Sequence, residues 1–233
     1  MENAWQKLTQ GSKNFVFLGE AGCGKSEIAM ALALYLAAAQ ERPVHFFDMD
    51  QTKPLFRSRD ARAALKAAGV VFHFEEQKAD APTQVGGVVP LLLDQEALVV
   101  MDVGGSDTGA RLIGGFSHLT GREETAVFYV VNIYRPWSGD ILAVDGTLSA
   151  VLKAARLRKF RLLANPNLGA ETTAGEFLRG LEKTVEMLSP YAPVEAAFVQ
   201  ESLYDEASAA TRLPVLALRR EEEGEREAGE GGV

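Results

Sequence analysis

Short apolar runs alternate with segments of helical periodicity along most of the chain. The runs fall at residues 15–18, 44–47, 70–74, 98–101, 126–131, 160–164, 194–199 and 215–218, and each reads as a buried strand. Between them, residues 27–40 are rich in Ala and Leu, which favour helix, and residues 60–68 have helical composition. Leu112, Ile113, Phe116 and Leu119 share one helical face, as do Ile141, Val144, Leu148, Val151, Leu152 and Ala155. Thr173 and Glu176 have capping-box spacing, and the helix they open is expected to turn Phe177, Leu181, Val185 and Leu188 inward. This alternation predicts an α/β fold: a mostly parallel sheet with helices on both faces. Residues 1–218 read as a single domain. Residues 77–84 are polar and include a proline, which predicts a surface loop. From residue 219 the tail is Glu, Arg and Gly with one terminal Val; it is acidic and too polar to bury itself, so disorder is expected there.

Composition changes this picture in a few places. The chain has 233 residues, 47% of them hydrophobic, enough for one sizeable core. Its net charge of −8 gives no general attraction to nucleic acid or to a membrane surface, so neither is an expected partner. The one cysteine, Cys23, rules out an intrachain disulfide and a Cys-rich metal site. The polar start, residues 1–14, lacks a signal-peptide pattern, and the longest apolar stretch, residues 28–39, is shorter than the roughly 20 residues a bilayer span needs. A cytoplasmic protein is the expectation.

Ligands of open parallel sheets sit at the carboxyl ends of the strands, and there the candidate chemistry is concentrated. Gly19-Glu20-Ala21-Gly22-Cys23-Gly24-Lys25-Ser26 matches G-x-x-x-x-G-K-[ST] between a predicted strand and a predicted helix. Glycines let backbone N–H groups turn around phosphate oxygens, and the following helix adds its positive end. Lys25 is expected to reach the β- and γ-phosphates, and Ser26 to ligate Mg2+. Asp102, ending the 98–101 strand ahead of Val103-Gly104-Gly105, has the placement of a second Mg2+-holding group, and Gly105 could offer its N–H to the γ-phosphate. Asp48 and Asp50 flank Met49 after the second strand, and alternation puts both carboxylates on one side, facing Mg2+ and the attacking water. No acidic residue directly follows Asp102, so the chain lacks a catalytic carboxylate at that place.

At these motifs the sequence resembles the CobQ/CobB/MinD/ParA group of P-loop proteins, within the SIMIBI class. The resemblance covers roughly residues 13–200 in organisation and is specific only at the motifs. It implies ATP and Mg2+ as cofactors, with catalytic roles for Lys25, Asp48 and Asp50. The implied nucleotide set is Gly19, Glu20, Ala21, Gly22, Cys23, Gly24, Lys25, Ser26, Glu27 and Gly105. Ser26, Asp48 and Asp102 would be at the metal. Many relatives read the base with an asparagine at a later strand end, where this chain has Asn165 and Asn167. Dimerising members carry a second lysine after the first P-loop glycine; here Glu20 stands there, so a homodimer stays open, and Arg57, Arg59 or Arg135 are the candidate substitutes for that cation. The expected activity is slow ATP hydrolysis or an ATP-dependent switch acting on a protein partner. A small-molecule kinase or synthetase and a non-hydrolysing nucleotide sensor are the alternatives. Cys23 reads as a small residue filling the loop; loop amides and a helix start beside it would depress a thiol pKa, and a redox-sensitive loop is the alternative. His45, His73 and His118 show no metal-ligand spacing and read as structural. Arg135-Pro136-Trp137 is expected at the rim of the site.

Overall fold

A computed structural model of the chain describes residues 2–39, 42–49, 56–73, 87–105 and 107–219, with side chains at 4–39, 42–49, 62–73, 87–105 and 109–219. Among the described residues, eight strands build one sheet: β1 (Asn14–Leu18), β2 (Val44–Met49), β3 (Val71–His73), β4 (Leu98–Val103), β5 (Thr125–Val131), β6 (Arg161–Ala164), β7 (Val194–Gln200) and β8 (Val215–Leu218). Their order is β3-β2-β4-β1-β5-β6-β7-β8, and every neighbouring pair is parallel. β1 lies centrally, with β4 on one side and β5 on the other.

Strand alternation divides the core in two. Phe15, Phe17, Phe46, Val100, Phe128 and Phe198 face α1 (Glu2–Thr9), α2 (Lys25–Ala39) and α3 (Phe56–Ala67). Val16, Leu18, Met49, Met101, Tyr129 and Val199 face the other layer: α4 (Val88–Leu93), α5 (Asp107–Gly114), α6 (Ser117–Thr120), α7 (Ile141–Ala155), α8 (Ala174–Leu188) and α9 (Tyr204–Ala210). β1 and β4 are buried at every position, which is why their sequences are continuous apolar runs rather than alternating ones. Asp140 caps α7 by accepting from the Ala143 N–H at 2.9 Å, and Thr173 with Glu176 forms the expected capping box on α8.

Several expectations need correcting. The polar start of the chain folds as α1, held by Trp5 stacked on Tyr35 at 5.8 Å and tilted on Phe198 at 5.5 Å. The segment carrying Leu112, Ile113, Phe116 and Leu119 is two helices, α5 and α6, separated at Gly115 and Phe116. The break leaves Gly114 against α7, where a Cβ would stand 2.5 Å from the Ala154 carbonyl. On α8, Val185 is 40% exposed, while Thr184 is fully buried and donates to the Gly180 carbonyl at 2.6 Å. The buried stripe there includes Phe177, Leu181 and Leu188 as expected, and departs from the expectation in burying Gly180 and Thr184 and leaving Val185 outside. The loop at 77–84 and the tail beyond residue 219 lie outside the described residues. No described helix is long and apolar enough to cross a membrane.

Candidate functional site

The central strand β1 ends at Leu18, and the Gly-rich loop begins at once. Gly19 has φ +144°, and a Cβ there would meet the Val130 carbonyl at 2.5 Å, so only glycine leaves β1 this close to β5. Gly22 and Gly24 also have positive φ, at +73° and +91°. A turn closes from Cys23 N–H to the Glu20 carbonyl at 3.2 Å, and the Ile28 N–H returns to the Gly24 carbonyl at 3.1 Å as α2 begins. Lys25 is the first residue of α2 and is 3% exposed; Ser26 follows it, half-buried. The Glu27 carboxylate folds back to within 3.4 Å of where a Cβ of Gly24 would be.

β4 and β2 supply the acidic residues. Asp102 and Asp48 are register partners on these adjacent strands. Parallel partners stand about 4.8 Å apart and point to the same face. Phe46 and Val100, two residues earlier on each strand, belong to the α2 layer, so both carboxylates project to the α2 side, beside the start of α2. Asp102 is 1% exposed and Asp48 half-buried. With the Ser26 hydroxyl these carboxylates would supply a sparse oxygen set of the kind suited to Mg2+, which takes one or two protein carboxylates and completes its shell with water and phosphate. The donor chemistry therefore fits the implied metal. Among the described residues there is no cluster of three or more His, Cys, Asp or Glu side chains able to hold a metal by itself. Asp50 lies outside the described residues, as do the side chains of Arg57 and Arg59.

After β4 the chain passes directly over the loop. A Cβ on Gly105 would stand 2.7 Å from the Ala21 nitrogen, 2.8 Å from the Gly19 carbonyl oxygen and 2.9 Å from the Glu20 carbonyl carbon. Gly105 thus touches the Gly-rich loop through backbone alone. Asn165 follows β6, is 1% exposed and donates from Nδ2 to the Cys23 carbonyl at 2.8 Å. Asn167 belongs to the loop behind it: its Oδ1 accepts from the Gly169 N–H at 2.6 Å and from the Thr172 hydroxyl at 3.2 Å. Of the two asparagines, only Asn165 reaches the Gly-rich loop.

Arg135, from the rim segment, donates from Nε to the Gly22 carbonyl at 2.9 Å. Trp137 next to it is 39% exposed. Asn132 was missed as a site residue. It is 1% exposed at the end of β5, donates to the Asn167 carbonyl at 2.8 Å and accepts from the Tyr134 N–H at 3.1 Å, joining the loops after β5 and β6. A polar residue ending an apolar strand was the available signal, the same one that marks Asp102.

Cys23 is packed within the loop, and the depressed thiol pKa of the redox alternative is overturned. Its thiol is buried, and desolvation pushes its pKa up to about 11, outweighing the lowering effects of Lys25 and the nearby backbone. His45 and His73 are not scattered: β2 and β3 bring His45 Nδ1 within 2.9 Å of His73 Nε2, with the rings stacked. Burial lowers both pKa values.

No family model matches the chain. No curated protein matches it either. Solved structures do. The signal recognition particle receptor FtsY from Elizabethkingia anophelis is similar with a TM-score of 0.51 and 16% identity, over 88% of this chain and 65% of that one. Chloroplast FtsY from Physcomitrella patens is similar with a TM-score of 0.51 and 13% identity, over 86% of this chain and 67% of that one. This is the P-loop NTPase fold. The chain spans about two thirds of the length of these FtsY structures. The likeness establishes the P-loop NTPase architecture, an eight-stranded parallel sheet between helical layers, and does not single out the CobQ/CobB/MinD/ParA group.

Proposed function

We propose that this P-loop protein binds a nucleoside triphosphate with Mg2+ and acts as a slow ATPase switch on a partner protein. The observation that carries the reading is the convergence of three strand ends. The Gly19–Ser26 loop follows β1, and Asp102 and Asp48 stand in register near the carboxyl ends of the adjacent strands β4 and β2. A glycine-rich loop alone has many uses. Paired with two register-matched carboxylates and a hydroxyl at the helix start, it has the parts that hold a metal–triphosphate.

Lys25 and the loop N–H groups would stabilise charge on the transferring phosphoryl group. Ser26 and Asp102 would hold Mg2+, with Asp48 assisting and Asp50 orienting water. Bound Mg2+ would neutralise charge on the β- and γ-phosphate oxygens. With no acid directly after Asp102, turnover by the chain alone is slow, and the partner raises it. ATP over GTP rests on the family resemblance. Glu20 removes the lysine through which related dimers share nucleotide, so assembly as a homodimer would need another cation.

Calorimetry with ATP and GTP in parallel, each with Mg2+, tests the reading on wild type and Lys25→Ala. Wild type should bind ATP more tightly, and the variant should lose most of that affinity. Asp50→Ala should bind normally and fail to hydrolyse. A folded wild type that binds neither nucleotide would sink the proposal.

A further inference from the structure

The Gly-rich loop is held from behind at two consecutive peptides. The Gly22 carbonyl accepts from Arg135 Nε at 2.9 Å, and the Cys23 carbonyl accepts from Asn165 Nδ2 at 2.8 Å. The two donors come from the carboxyl ends of β5 and β6, the strands that continue the sheet beyond β1. Both mounts are rigid. The Asn165 N–H bonds the Val131 carbonyl at 2.9 Å, and the Arg135 N–H bonds the Asn132 carbonyl at 3.0 Å. The contacts are also close. A Cβ on Gly24 would overlap Asn165 Nδ2, and one on Gly22 would lie 3.5 Å from Arg135 Nε. The carbonyl acceptor fixes which end of the Asn165 amide faces the loop.

A trans peptide is planar, with its C=O and N–H pointing in opposite directions. Tying the Gly22 carbonyl to Arg135 therefore aims the Cys23 N–H away from Arg135. Tying the Cys23 carbonyl to Asn165 aims the Gly24 N–H away from Asn165. The Cys23 N–H so aimed closes the turn onto the Glu20 carbonyl at 3.2 Å, the Gly24 N–H would face a phosphate oxygen, and a loop fixed in this shape loses less conformational entropy on binding.

We propose that Arg135 and Asn165 are positioning residues, an external clamp that preorganises the phosphate-binding N–H groups, and that Asn165 serves the phosphates rather than the base. This rests on the nucleotide-binding reading above. Asn165 Oδ1 is buried with no hydrogen-bond partner among the described residues, so the Nδ2 contact with the loop is the amide's one side-chain bond.

The test is calorimetric binding of ATP, GTP and inorganic tripolyphosphate, each with Mg2+, to wild type, Arg135→Ala, Arg135→Gln and Asn165→Ala. Each alanine variant should weaken all three ligands by a common factor of about ten, the scale of one orienting hydrogen bond. The ATP-to-GTP ratio should stay unchanged. Arg135→Gln keeps an N–H donor at the Nε position and removes the charge, so it should restore affinity to within about threefold of wild type. Several results overturn the clamp: alanine variants that bind tripolyphosphate as wild type does, an Asn165→Ala variant that changes only the ATP-to-GTP ratio, or a glutamine variant as weak as alanine. If Asn165→Ala does not fold, the half-exposed Arg135 pair decides the matter alone. Wild type that binds none of the three ligands overturns the nucleotide reading, and the clamp with it.

Discussion

Replacing Gly105 by alanine adds a single methyl group at the point where the chain after β4 crosses the phosphate loop. That methyl would stand 2.7 to 2.9 Å from three backbone atoms of Gly19, Glu20 and Ala21. Ordinary carbon contacts sit near 3.5 Å or beyond, so one segment must retreat by roughly half an ångström or more. Neither can do so by turning a side chain. Overpacking of this kind costs about 2 kcal/mol. The φ of Gly105 is not in the left-handed region, so alanine also restricts the unfolded chain and returns about 0.7 kcal/mol. The net loss of about 1.3 kcal/mol lowers the melting temperature of a chain this size by roughly 3–5 °C. Gly146 provides the control. It lies inside α7, exposed, with nothing within 4 Å of its would-be Cβ, so Gly146→Ala gains about 0.5–1 kcal/mol from helix propensity. The same substitution should therefore move stability in opposite directions at the two sites, read by calorimetric melting without ligand. With nucleotide present, Gly105→Ala should also bind about tenfold more weakly, because its strain falls on the loop amides. A Gly105→Ala protein that melts at or above the wild-type temperature refutes the close approach and the reasoning built on it.

Further expectations follow from other contacts. His45 and His73 share one N···N contact that accommodates a single proton, and burial depresses both pKa values while Asp94 opposes the effect at His45. Their neutral forms therefore contribute stability above the unfolded value of about 6.5, and that stability is lost as pH falls through the lowered native values; urea unfolding at pH 7.5 and pH 5.5 should show a larger drop in wild type than in His73→Asn, and equal drops would disprove the coupling. Cys23, with its thiol pKa pushed up to about 11 and its side chain buried, should react with a disulfide reagent far more slowly in the native protein at pH 8 than after unfolding; a native rate equal to the unfolded one would mean the loop opens freely. Arg161 forks onto Glu195, donates to the Leu8 carbonyl at 2.6 Å and lies 5.0 Å from the Phe128 ring centre, so it joins α1 to the sheet. Both partners of that ion pair are partly exposed, so Arg161→Ala should cost only about 1 kcal/mol in denaturant unfolding, and a loss above about 3 kcal/mol would show a role the contacts do not account for.

How much of this was legible in the chain depended on whether the information was local. Apolar runs stop within two residues of where these strands stop, so Asp48, Asp102, Asn132 and Asn165 could all be placed at or near strand ends from sequence alone. The G-x-x-x-x-G-K-[ST] spacing is local too, and its two glycines, Gly19 and Gly24, fall where the backbone takes positive φ. What could not be read is which strand ends meet. Asp48 and Asp102 are 54 positions apart and become neighbours only because β4 inserts between β2 and β1, an order set by how the helical layers cover the sheet. The same holds for His45 and His73, joined by the β2–β3 pairing. Local reasoning failed where a long-range term dominates. The helix start beside Cys23 argues for an acidic thiol, but burial beneath the loop outweighs it. On α8, hydrophobicity selects Val185 for the interior, yet Thr184 takes that place because its hydroxyl is satisfied by the Gly180 carbonyl of its own helix. Arg135 and Asn165 are the hardest case, since their partners are backbone carbonyls, which every residue has and no side-chain pattern marks. Their geometry also changes what the asparagine at the end of β6 means. An amide at that strand end is chemically able to read a base, but one whose Nδ2 holds the Cys23 carbonyl would, on the clamp proposal, act on a bound nucleotide through the loop it holds in place.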